Sequence, residues 1–136
     1  EWSELKIIRS MKTYTQHYFI KATPEEIYTA LTNPFTIELW TGQPAVMEEK
    51  EGIEFSLWNG DIVGKNLEFE KNRKIVQEWY FGDQENPSIV TILLIKTKKG
   101  TKVKLTHENI PDIAYENMKM GWDDFYFGNL KRFFEF

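Results

Sequence analysis

The hydrophobic period of this chain changes at residue 112, and that change constrains the fold more than any other feature. From 52 to 109 apolar residues alternate with polar ones in short runs. From 112 to the C-terminus at 136 they recur every three or four residues. Alternation places every second side chain on one face of a strand, whereas a spacing of three or four draws one stripe along a helix. Such a chain builds a run of strands and then covers the sheet with the helix that follows. No other segment is large enough to cover it.

The strand runs can be placed in order. GIEFSLW (52–58) puts Ile53, Phe55 and Leu57 on one face and Glu54, Ser56 and Trp58 on the other. Asn59-Gly60 follows, the strongest short signal for a hairpin. DIVGKNLEFE (61–70) is the return strand, with Gly64 expected to form a bulge. KIVQEWYFG (74–82) comes after the charged turn KNRK. SIVTILLIKT (88–97) is apolar on both faces and is expected to be central and covered. TKVKLTHEN (101–109) follows the Lys98-Lys99-Gly100 turn, with Val103, Leu105 and His107 inward. Turns this short imply antiparallel neighbours. MKTYTQHYFI (11–20), rich in Thr, Tyr and Phe, reads as a first strand. In the last segment the stripe is Met118, Trp122, Phe125, Tyr126, Leu130 and Phe133. Asp112 is the expected N-cap, and Gly121 and Gly128 are expected to touch the sheet.

Between the first strand and the others lies ATPEEIYTALTNP (22–34), a short helix with both ends specified. Thr23 and Glu26 form a capping box, Pro24 suits the first helical position, and Ala22 with Ile27 makes a hydrophobic staple. Pro34 drives Asn33 out of the helical region. Asn33 then starts a second short helix, PFTIELW (34–40), closed by Gly42.

Aromatic residues make up 15% of the chain, ten Phe, six Tyr and five Trp, which points to large flat side chains filling a core or walling a cavity. The chain has no cysteine, which excludes disulfides, zinc-thiolate sites and thiol nucleophiles and suits a reducing compartment such as the cytoplasm. A net charge of −4 argues against nucleic acid as a partner. The longest apolar run, IVTILLI (89–95), is too short to cross a bilayer, and no signal-peptide pattern is seen. Residues 1–11 read as an N-terminal extension or a leftover of expression, ahead of one domain over 12–136.

Several motifs now coincide in order. A-T-P-E-E-I-Y through A-L-T-N-P, with Trp40 shortly after, resembles the opening signature of the START-like (SRPBCC) superfamily. G-I-E-F-S-L-W-N-G-D-I-V-G (52–64), Q-E-W (77–79), G-T-K-V-K-L-T-H-E-N-I-P (100–111) and Gly121-Trp122 resemble, more closely, the branch named for the activator of the 90-kDa heat-shock chaperone's ATPase. The resemblance implies an α+β helix-grip fold of START / Bet v 1 type. In it a curved antiparallel sheet of about six or seven strands wraps a long C-terminal helix, with two short helices after the first strand. Many members of the superfamily enclose an apolar cavity between sheet and helix. Members range from lipid carriers to co-chaperone domains, so the fold does not fix the function.

No catalytic constellation is legible. The two histidines, His17 and His107, have no metal-binding spacing. An inward His107 serves as a ligand-orienting group, an acid/base or a hydrogen-bonded residue at a strand end. Glu48, Glu49 and Glu51, Glu68 and Glu70, and Asp123-Asp124 read as solvated faces. Glu78 is a polar anchor only if its face, shared with Val76 and Tyr80, looks inward. No cofactor or metal is expected. The expected function is binding of a small hydrophobic or aromatic ligand, without catalysis. The cavity candidates are Trp40, Phe55, Trp79, His107, Met118, Trp122, Phe125 and Tyr126, with Trp58 in the same aromatic set. The two short helices are expected to form a lid. The alternative is a protein-interaction module of the chaperone-activator type, with the Lys98-Lys99-Gly100 turn and the acidic stretch 48–54 as contacts. An enzyme of cyclase or hydrolase type ranks last.

Overall fold

The computed structural model of the protein describes residues 11–81 and 87–135. Residues 1–10, 82–86 and 136 lie outside the described residues. The elements run in the order β1 (Met11–Ile20), α1 (Pro24–Thr32), α2 (Pro34–Thr41), β2 (Glu54–Leu57), β3 (Ile62–Glu70), β4 (Lys74–Trp79), β5 (Ser88–Thr97) and β6 (Gly100–Pro111). The C-terminal helix follows in three parts: α3 (Asp112–Met120), a π-helical turn (Gly121–Tyr126) and α4 (Phe127–Phe133). The six strands form one antiparallel sheet in the order β1-β6-β5-β4-β3-β2. This is the helix-grip arrangement. Met11, the first residue of the MKTYTQHYFI strand, pairs with Pro111.

The caps set the short helices. Thr23 Oγ1 accepts from the Glu26 amide at 3.1 Å, and Glu26 Oε1 accepts from the Thr23 amide at 2.9 Å. Asn33 ends α1 and starts α2: its side chain accepts from the amides of Phe35 and Thr36, at 2.9 and 3.1 Å. Gly42 closes α2 at φ 75°, a left-handed geometry that costs glycine nothing. Helices of eight or nine residues are marginal alone, so burial of Ile27, Ala30 and Leu31 against the sheet holds α1 in place.

The inner sheet face carries the core, including Val90, Ile92, Val103, Leu105 and Ile75. On β5 only this face is sealed. Ile89, Thr91 and Leu93 are half-buried and Ile95 is exposed, so the doubly apolar strand is central but not covered on both sides. Glu78 lies on the outer face with Val76 and Tyr80. The inward polar residue of β4 is Gln77.

Three local expectations are corrected. Gly64 is no bulge. It pairs regularly with Phe55 and Trp79, and the register slips instead between Asn66 and Glu68. Pro111, not Asp112, holds the N-cap position of α3, and no side chain caps it. Neither helix glycine touches the sheet. A Cβ on Gly121 would meet open space, and one on Gly128 would strike the Asp123 carbonyl at 2.7 Å, one π-turn earlier.

Candidate functional site

The π-turn decides which aromatic residues face inward. The Phe127 amide bonds to the Trp122 carbonyl, five residues back, which adds one residue to that turn. The extra residue rotates everything that follows. Trp122, Tyr126, Phe127 and Leu130 are buried, while Phe125 is 57% exposed. A constant helical period therefore put Phe125 in the inward stripe, where the structure leaves it exposed, and missed Phe127 altogether.

Between this turn and the β2–β3 connection the fold leaves a cleft of about 280 Å³. The helix supplies Met118, Gly121, Trp122, Phe125 and Tyr126. The sheet side supplies Trp58, Asp61, Ile62 and Trp79. Trp58 reaches the cleft because the backbone turns there. Its φ is 50°, followed by 55° at Asn59 and 96° at Gly60. A bulky residue in the left-handed region costs about 1–2 kcal/mol. The turn takes Trp58 out of the strand alternation that assigned it to the opposite face from Phe55 and Leu57.

The inner walls are fixed by buried hydrogen bonds. Trp79 Nε1 donates to Gln77 Oε1 at 3.0 Å, and Gln77 Nε2 donates to Asn66 Oδ1 at 3.0 Å. Asn66 Nδ2 in turn donates to the Glu48 carbonyl at 3.0 Å. Trp122 Nε1 donates to His107 Nδ1 at 3.0 Å. The two indoles stack with centroids 4.7 Å apart and planes 25° apart. From outside the core, Asp123 Oδ1 accepts from Tyr14 and Tyr18 hydroxyls, at 2.8 and 2.7 Å, and ties the π-turn to β1. Burial, then the bond to Asp123, raises the pKa of both phenols. Asp123 is thus not a merely solvated carboxylate. Nor is Glu49, which accepts from the Tyr28 hydroxyl at 2.6 Å.

Of the residues proposed from sequence, Trp79, Met118, Trp122, Phe125 and Tyr126 line this cleft. Trp40, Phe55 and His107 do not. Trp40 Nε1 donates to the Ala30 carbonyl at 2.7 Å, and its ring packs edge-on against Trp58 and Tyr126 behind the cleft. Phe55 lies over Gly64. His107 sits behind Trp122. No residue of α1 or α2 lines the cleft, so the short helices buttress its back instead of forming a lid. Asp61, Ile62 and Gly121 were missed as lining residues. Their positions directly after Asn59-Gly60 and directly before Trp122 were the available signal.

His107 is fully buried. Its Nδ1 accepts from Trp122, so the imidazole is neutral with its proton on Nε2, and Nε2 has no hydrogen-bond partner among the described residues. Burial pushes its pKa down from 6.5 to about 4. The sign of the linkage follows. Above pH 6.5 neither folded nor unfolded chain protonates this group. Between 6.5 and 4 only the unfolded chain does, so stability falls with pH across that window by up to ~3 kcal/mol. Denaturant unfolding from pH 7 to 4, with the His107 ring followed by NMR, checks this. A native midpoint near 6.5 would contradict it.

Elsewhere, His17, Phe19, Lys98, Lys99 and Lys102 border a shallow depression at the β5–β6 turn. Among the described residues no three His, Asp or Glu side chains gather as a metal site would require. No helix among them is long and apolar enough to cross a membrane.

Comparison with known proteins agrees with the fold. The sequence model of the Activator of Hsp90 ATPase homolog 1-like protein family matches residues 21–135. The mouse activator of 90 kDa heat shock protein ATPase homolog 2 is 28% identical over 115 residues, 83% of this chain and 35% of that protein. The human homolog 1 is 28% identical over 114 residues, 82% and 34% of the two. The chain thus spans about a third of the length of these curated relatives. The crystal structure of an HSP90 activator from Plasmodium falciparum superposes with a TM-score of 0.83 at 31% identity, covering 91% of this chain and 96% of that one. The solution structure of the Aha1 dimer from Colwellia psychrerythraea, at 24% identity and TM-score 0.77 over 92% and 97% of the two chains, shares the fold. With a regular match over nearly its whole length, the chain belongs to the Activator of Hsp90 ATPase homolog 1-like family.

Proposed function

We propose that this domain works by binding and not by catalysis, and that its cleft takes a small apolar or aromatic group. The observation that carries the reading is the wall itself. Five of the nine lining residues are aromatic, and two of the tryptophans are held rigid by buried hydrogen bonds. Rigid, largely apolar concavities with few polar groups are what ligand sites look like. At about 280 Å³ the cleft lies just below the usual range of roughly 300–1,000 Å³, which suits a one- or two-ring molecule and not a whole lipid. The buried His107 is tied to Trp122 and has no carboxylate partner among the described residues, which supports no general acid–base role. Native mass spectrometry of the purified protein tests the reading. The expected result is an added mass that leaves on denaturation. The bare mass, with no shift on adding small aromatic compounds, would overturn it.

A second reading has its own support in the family match and in the relatives named as activators of the 90-kDa chaperone's ATPase. Here the domain engages a chaperone through its surface, with Lys98, Lys99 and the 48–54 stretch as contacts. The absence of cysteine suits a reducing compartment such as the cytoplasm. Adding the domain to its cognate chaperone and finding a raised ATPase rate would favour this reading. No binding and no change in rate would remove it.

A further inference from the structure

We infer that the cleft receives an organic cation, a quaternary or tertiary alkylammonium group, against the rings of Trp58, Trp79, Trp122 and Tyr126, with Asp61 as counter-ion. The inference rests on the reading of the cleft as a binding site and names its ligand class.

Three observations carry it. The first is the sign of the wall. Among the described residues the only acidic side chain lining the cleft is Asp61, and no Lys, Arg or His lines it. The second is what the inner tryptophans withhold. The indole N–H of Trp79 is taken by Gln77 and that of Trp122 by His107. Neither offers a donor to a carboxylate, phosphate or carbonyl. They offer ring surface, whose quadrupole attracts cations, tryptophan most strongly. The third is the state of Asp61. It is exposed at the mouth, and its carboxylate has neither ion pair nor hydrogen bond among the described residues. Asp123 and Glu49, by contrast, are each occupied by tyrosine hydroxyls.

The chemistry selects among cations. A primary ammonium brings three N–H donors that need acceptors, and among the described lining side chains only the Asp61 carboxylate and the Tyr126 hydroxyl can accept. An alkylated ammonium carries its charge under apolar methyl groups. It loses little on leaving water for ring surface, and aromatic cages recognise such groups elsewhere. The half-buried Met118 adds a polarisable contact at the rim. A neutral aromatic ligand would use the rings and leave Asp61 idle.

The test compares choline with 3,3-dimethyl-1-butanol, its neutral isostere, titrated into the full chain. Indole N–H resonances of Trp58, Trp79 and Trp122 report the site, and calorimetry gives the affinity. Choline is expected to bind about tenfold or more tightly than the alcohol. Asp61→Asn is expected to cost about tenfold for choline and nothing for the alcohol, with thermal unfolding unchanged, since the residue is exposed. Equal or tighter binding of the alcohol would overturn the cation and leave the apolar cleft standing. No response to either compound would overturn both. Vesicles of phosphatidylcholine, set against phosphatidylglycerol, separate the sources. Binding to the first alone assigns the cation to a lipid head group, and binding of free choline without vesicle association assigns it to a soluble molecule. Either outcome supports the proposal.

Discussion

Replacing Gly64 with alanine is expected to lower the unfolding free energy by about 3 kcal/mol or more and the melting temperature by about 10 °C or more. One added methyl group has this effect because of where it would go. Gly64 lies between Phe55 on β2 and Trp79 on β4, inside the sheet. Its Cβ would fall within van der Waals distance of the Glu78 carbonyl oxygen and 2.8 Å from the Phe55 ring. A side chain can rotate away. A carbonyl in a strand ladder cannot move without breaking the β3–β4 pairing. Glycine in a strand interior marks this kind of close backbone approach as often as a bulge. Thermal and denaturant unfolding of Gly64→Ala measure the effect. A melting temperature within about 2 °C of the parent would contradict the packing described.

Trp122→Ala is expected to cost about 4 kcal/mol or more. Truncating a buried tryptophan costs ~3–5 kcal/mol in itself. The change also removes the stacked partner of Trp79 and leaves His107 Nδ1 buried without a donor, which costs a further ~1–3 kcal/mol where the site stays dry. Trp122→Phe separates the terms. It keeps a ring and loses the N–H, and is expected to cost roughly half as much. The near-ultraviolet circular dichroism of the indole pair should collapse in both variants. A Trp122→Phe protein as stable as the parent would show that the hydrogen bond to His107 contributes nothing.

What could be read from the sequence, and what could not, divides along the range of the interactions. The capping box at Thr23–Glu26, the double role of Asn33 and the left-handed Gly42 are decided within four residues of chain, and they appear in the structure where the local signals put them. The inward face of β6, with Val103, Leu105 and His107, follows from alternation alone. The failures are non-local or break the period. The π-turn shifts the helix by one residue, so Phe127 replaces Phe125 in the core. Three positive φ values carry Trp58 off its strand face. The partners of Asp123 lie 109 and 105 residues away, and nothing in its neighbourhood announces them. The β3–β4 pairing was legible, but the buried amides Asn66 and Gln77 within it, which orient Trp79, were not singled out. The aromatic set was legible as residues near one another. Its division into cleft wall and buttress was not, because that depends on the turn and the π-turn together.

Gly121 offers the most direct test of the cleft as a binding site. It lines the cleft, has helical φ and ψ of −61° and −42°, and its Cβ would meet open space. A leucine there fills the cleft without strain and gains the ~1 kcal/mol that a helical glycine gives up. Native mass spectrometry of the parent and Gly121→Leu, purified side by side and each weighed again after denaturation, is the measurement. The expected result is an added mass in the parent that leaves on denaturation, and its loss in Gly121→Leu with the melting temperature unchanged or higher. The same added mass in both proteins would contradict it.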